Sequence, residues 1–176
     1  MTPQQAIKHL RHANAVARRA RDAMGKHPFG AILVAPDGET VLAEQGNVDT
    51  VNHAEAVLAR TAALNHPAEY LWQCTLVTTV EPCAMCAGTQ YWAHIGRLVY
   101  GMSERRLLEL TGSHDENPTM DLPCRSVFAA GQKAIEVIAA AGPDAIQLPP
   151  GTAPLLQSIP GKARPALVLR TDIANI

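Results

Sequence analysis

The 176-residue chain has no surplus of charge of either sign: 15 Lys and Arg stand against 16 Asp and Glu, a formal net charge of -1. That excludes a whole-chain electrostatic footprint for a phosphate backbone and leaves only a local basic patch to be considered. Cysteine is scarce as well. Four cysteines in a chain of this size do not make a disulfide scaffold, which fits a reducing cytoplasm. No apolar run reaches the roughly 18 residues needed to cross a bilayer, and the N-terminus lacks the basic, apolar and cleavage regions of a signal peptide. A cytoplasmic protein with no membrane partner is expected. What the chain does have is 47% hydrophobic residues, enough for one domain with a real core and too short a length for two.

Along the chain, Thr2-Pro3-Gln4-Gln5 reads as a helix start, with Thr2 as N-cap, Pro3 in the first position and Gln5 placed for a capping box. Ile7, Leu10, Ala13, Ala17 and Ala20 then recur at helical spacing, so one amphipathic helix is predicted to end near Gly25. Its arginines, Arg11, Arg18, Arg19 and Arg21, read as a solvated face before they read as a nucleic-acid contact. Residues 31–35 and 41–45 are β-prone runs joined by Pro36-Asp37-Gly38 and should form a hairpin. A helix over 54–64, a strand over 74–79, a helix over 83–94 and a strand over 97–100 follow, an order that implies parallel neighbours and a sheet covered on both faces. A short helix over 104–110, a long turn-rich stretch over 111–123, a helical segment over 126–132 and a strand over 135–139 complete the domain. Beyond residue 140 the prolines Pro143, Pro149, Pro150, Pro154, Pro160 and Pro165 predict an irregular tail over 141–176.

The chemistry is concentrated in two short stretches. Cys83-Ala84-Met85-Cys86, entering a helix behind Pro82, can present two thiolates to one metal ion. His53, at the start of the preceding helix, can supply a third ligand and leave one tetrahedral position for water, the arrangement of a catalytic zinc. Glu55, two residues on, is placed to take a proton from that water and pass it to a substrate nitrogen. A Cys-x-x-Cys taken alone also serves as a redox pair or as half of a structural zinc site. A non-catalytic zinc module would need a fourth protein ligand, for which His66 or His94 can be offered.

His53-Ala54-Glu55 with Pro82-Cys83-Ala84-Met85-Cys86 is the H-x-E…P-C-x-x-C pattern of zinc deaminases acting on nucleobases. With His27-Pro28-Phe29-Gly30-Ala31, Gly46-Asn47, Glu81, Ala87-Gly88 and Tyr91-Trp92-Ala93, the chain resembles the cytidine deaminase-like superfamily, on the branch of guanine deaminases and tRNA-adenosine deaminases. The resemblance covers about residues 28–101. It implies a three-layer α/β/α fold around a mixed, mainly parallel sheet of about five strands, with a zinc-dependent deaminase domain over 1–140. It further implies Zn2+ held by His53, Cys83 and Cys86, with Glu55 as proton carrier. Asn47 and backbone groups at Ala54 and Cys83 would contact the base, and Phe29 and Trp92 are aromatic candidates for the pocket, Trp92 equally a candidate for core packing or a dimer interface. A late carboxylate completes the site in guanine deaminases, for which Asp115 or Asp121 is available. The expected substrate is a small-molecule nucleobase or nucleoside, guanine first; tRNA adenosine is disfavoured by the near-neutral charge and the Pro-rich C-terminus, and a pyrimidine comes third. A homodimer is the usual assembly.

Overall fold

The computed structural model describes residues 1–112 and 118–139. Its first element, α1 (Pro3–Met24), starts with the capping box formed by Thr2 and Gln5 and stops at Gly25, whose φ of 61° is the left-handed cap that glycine adopts without strain. The hairpin follows as β1 (Gly30–Val34) and β2 (Val41–Gly46), paired antiparallel. At its turn the Asp37 carboxylate accepts the N–H groups of Glu39 and Thr40. Then come α2 (Ala54–Asn65), a single turn α3 (Ala68–Leu71) that periodicity does not reveal, β3 (Thr75–Val80), α4 (Ala84–Trp92), β4 (Arg97–Met102), α5 (Glu104–Thr111), α6 (Cys124–Ala129) and β5 (Glu136–Ala139).

The five strands form one sheet in the order β2-β1-β3-β4-β5. β3, β4 and β5 are parallel neighbours, as the strand-helix alternation implies, but β2 and β3 are not. β1 lies between them, antiparallel to both, so four strands run one way and β1 runs against them. This reversal brings the start of β1 to the same sheet edge as the ends of β2, β3 and β4.

Alternation along the strands divides the core. Ile32, Val34, Val77 and Val99 point to the face covered by α1, where they meet Ala6, Leu10 and Val16. Ala31, Leu33, Leu76, Leu98 and Tyr100 point to the opposite face and pack with Ala54, Leu58 and Ala59 of α2, Ala87 of α4 and Phe128 of α6. A sheet buried on both faces explains why β3 is buried at every position. Gly30 is needed where α1 crosses: a Cβ there would lie 2.4 Å from the Ala13 carbonyl oxygen and 2.6 Å from the Ala17 nitrogen. On the solvent side of α1, Arg19 pairs with Glu44 and Arg21 with Asp22, in keeping with a solvated face. Among the described residues no helix is long and apolar enough to cross a membrane. Asp115 and the tail 141–176 lie outside the described residues.

Candidate active site

The site forms where the common direction of the strands puts their C-terminal ends side by side, as in other open α/β sheets. Asn47 follows β2, Cys83 follows β3, Glu104 follows β4, and Phe29 precedes the reversed β1. Together with His53 and Glu55 they line one cleft. His53 and Cys83 are the N-cap residues of α2 and α4, yet neither side chain caps its own helix. Both are therefore free to turn toward each other.

His53 Nδ1 lies 3.7 Å from Cys83 Sγ and 3.5 Å from Cys86 Sγ. A tetrahedral zinc with bonds of about 2.3 Å to sulfur and about 2.05 Å to nitrogen holds such atoms about 3.6 Å apart. The donor set therefore fits zinc in both chemistry and spacing. Among the described residues the cluster comprises these three ligands. His66 instead stacks against Tyr70, and His94 contacts Lys133, so neither offers the fourth ligand of a closed structural site. The Cys83 thiol is held down at about 4, first by its hydrogen bond with Cys86 and then by His53. The same contact, with burial, pushes Cys86 up; zinc takes both sulfurs as thiolates.

Glu55 is buried behind the ligands. The Thr78 hydroxyl donates to its Oε1 at 2.5 Å, and Cys86 Sγ lies 3.6 Å from its Oε2. Burial raises its pKa against the opposing effect of the Thr78 bond. A carboxyl so placed can hold or release a proton at the cleft.

Two further oxygens lack partners. Asn47 is fixed by its N–H to the Phe29 carbonyl at 3.0 Å and by its Nδ2 to the Asp49 carbonyl at 3.2 Å, which leaves Oδ1 buried and unpaired. Glu104, 6% exposed, also has a buried, unpaired Oε2. Burial, and then the charges of Cys83 and Glu55, push its pKa up to about 8. Glu104 and Glu81 both line the cleft; the sequence pattern includes Glu81 without giving it a role and does not single out Glu104. The signal was present in Ser103-Glu104, a helix start directly after the strand next to β3.

The remaining candidates fare differently. Ala54 is fully buried between His53 and Glu55 in the core under α2 and does not line the cleft. Trp92 is 77% exposed and is not among the residues that line this cleft; of the roles offered for it, exposure leaves core packing aside. It is nine residues past Cys83, half a turn out of phase at 3.6 residues per turn. Asp121 faces Arg105 at 3.9 Å on the surface and is likewise absent from the cleft.

The model of the cytidine and deoxycytidylate deaminase zinc-binding region matches residues 3–102, more than half of the chain. The chain belongs to this family. It is a zinc-dependent deaminase of the cytidine deaminase superfamily, with His53, Cys83 and Cys86 as its zinc cluster. A probable cytosine deaminase of Schizosaccharomyces pombe is 34% identical over 135 residues, covering 75% of this chain and 82% of that protein. The guanine deaminase of Bacillus subtilis is 42% identical over 77 residues, 42% of this chain and 49% of that protein. Among solved structures, one from a study of tRNA:A34 deaminases is 30% identical with a TM-score of 0.54, covering 78% of this chain and 99% of that one. These relatives share the chemistry and differ in the base their names give.

Proposed function

We propose that the protein deaminates a free purine base, guanine first, by hydrolysis. The observation that carries this reading is the lining of the cleft. Among the described residues it contains the carboxyls Glu55, Glu81 and Glu104 and no Lys or Arg, so a neutral base is suited to it and a phosphorylated chain is not. The purine preference rests on the two unpaired acceptors. Asn47 Oδ1, and Glu104 Oε2 in the ionised form of that carboxyl, call for a ring with N–H donors on two edges besides the reacting amine. Guanine has them; cytosine has one such ring N–H.

Zinc, when bound by His53, Cys83 and Cys86, supplies Lewis-acid activation of water. Phe29 and Leu107 give the cleft apolar walls that exclude bulk solvent from the base. Glu55 accepts the proton of the attacking water as its oxygen bonds to the carbon bearing the amine. It then delivers that proton to the adjacent ring nitrogen. A second transfer through Glu55, from the new hydroxyl to the amine, lets the C–N bond break with loss of ammonia. The product from guanine is xanthine. The Thr78 hydroxyl holds the Glu55 carboxylate in place through these exchanges.

A homodimer forms part of the proposal. Trp92 and Leu64, 77% and 87% exposed, flank a groove between α2 and α4 whose floor includes Ala63, Ala84 and Gly88. A large knob beside a small-residue floor on one face suits an isologous contact with a second copy. Trp92→Glu is expected to yield monomers in sedimentation; an unchanged dimer, or a parent chain that is monomeric, would refute it.

The assay for substrate is ammonia release by zinc-loaded protein from guanine, adenine, cytosine, their nucleosides and a tRNA anticodon stem-loop. Guanine turnover is expected, with Glu104→Gln raising KM. The likeness to the Schizosaccharomyces protein, over 75% of this chain and 82% of that one, favours cytosine as the second reading. Turnover of cytosine or the stem-loop with guanine inert would replace the first.

A further inference from the structure

Glu81 stands two residues before the zinc ligand Cys83 and is 6% exposed, yet it touches neither of the other ligands through any hydrogen bond seen among the described residues. Its backbone N–H donates to the Met102 carbonyl at 2.7 Å, which ties the end of β3 to the end of β4. Its carboxylate reaches two helices. Oε2 accepts the N–H of Glu104, the first residue of α5, at 3.2 Å, and Oε1 accepts the N–H of Cys124, the first residue of α6, at 2.9 Å.

Those two donors need an outside partner. The first N–H groups of a helix have none within it. In α5 the Ser103 hydroxyl accepts from Arg106 and leaves the Glu104 N–H unserved. In α6 the N-cap is Pro123, which has no side-chain acceptor at all. Glu81 thus caps both helices from a distance in sequence. Pro82 restricts Glu81 to extended backbone, so the direction of this carboxylate is locked to the turn that carries Cys83.

We propose that Glu81 is a positioning residue whose carboxylate, by capping α5 and α6 together, fixes Glu104 in the cleft relative to the zinc ligands. The proposal rests on the reading that Glu104 contacts the base. It needs both carboxylate oxygens, because each serves one N–H. An amide offers one acceptor and turns a donor toward the other N–H, so Glu81→Gln keeps the shape and breaks the double cap.

The test combines hydrogen exchange of the zinc-loaded protein with steady-state kinetics. In Glu81→Gln, exchange at the Glu104 or Cys124 amide is expected to quicken about tenfold or more, the scale of a lost charge-assisted bond. Zinc stays at one per chain, KM for the deaminated base rises by a similar factor, and kcat is nearly unchanged. Glu81→Asp, which keeps both acceptors on a shorter arm, should recover part of the protection and part of the KM; it replaces Glu81→Gln if that variant does not fold. Unchanged exchange at both amides would overturn the capping role. Faster exchange with an unchanged KM would reduce Glu81 to a structural residue, and loss of zinc would move its action to the metal. Failure of the Glu104 reading is separately visible, as a Glu104→Gln variant with the parent KM while the exchange result stands.

Discussion

Replacing Thr78 by Val removes one oxygen and leaves the shape of a side chain that has no exposure to solvent. What it removes is the hydroxyl donating to Glu55 Oε1 at 2.5 Å. Glu55 is buried, so no water substitutes freely for that donor, and the charged form of the carboxyl loses its partner. A hydrogen bond to a charged buried group contributes about 1.5–3 kcal/mol. At 1.36 kcal/mol per decade, kcat should fall about 10- to 100-fold. The variant should bind a full complement of zinc and substrate with nearly the parent KM, because Thr78 is neither a zinc ligand nor a lining residue of the cleft. Thr78→Ser, which keeps the hydroxyl, should recover most of the rate. The assay is ammonia release under saturating base with zinc measured on the same sample. A Thr78→Val protein with kcat within about twofold of the parent would refute the claim that this bond positions the proton carrier.

Gly30→Ala is expected to lower stability by about 1–3 kcal/mol in thermal or denaturant unfolding, because the added Cβ meets backbone atoms of α1 that cannot move without the helix; an unchanged transition would contradict the packing. Asp37, whose carboxyl is held down at about 2 by Thr40 and Glu39, stabilises the hairpin turn above the ordinary carboxylate range near pH 4, and that contribution is lost as pH falls through about 2. Asp37→Asn should remove this part of the acid dependence, read from unfolding curves between those two limits. Chelation of zinc should abolish deamination while far-UV circular dichroism is largely kept, since neither main core cluster contains a zinc ligand; collapse of the spectrum would show the metal to be structural.

The parts of the site that were legible in the sequence are those whose geometry is local. Cys83 and Cys86 share a helix start, and His53 and Glu55 share another, so spacing alone ties each pair together. Asn47 and Phe29 sit at strand ends that the hairpin turn predicts. Glu104 was not legible in this way. Its burial arises from two nonlocal facts, the parallel pairing of β4 beside β3 and the Glu81 bond to its N–H. The place of Trp92 was not legible either, because aromatic content says nothing about rotation, and α4 carries that side chain out to solvent. The insertion of β1 between β2 and β3 was equally hidden, since hydrophobic alternation fixes which face a residue takes and not which strand lies alongside.

The most direct measurement of the central claim is ammonia release from guanine by the zinc-loaded protein beside Glu55→Gln, with zinc content determined for both. Glu55→Gln keeps the size of the side chain and its contact with Thr78 but cannot carry the proton. The account predicts turnover by the parent, at least a hundredfold loss in the variant on the scale of about 10²–10⁴ for a general acid-base group, and equal zinc in the two. Equal rates at equal zinc would contradict it.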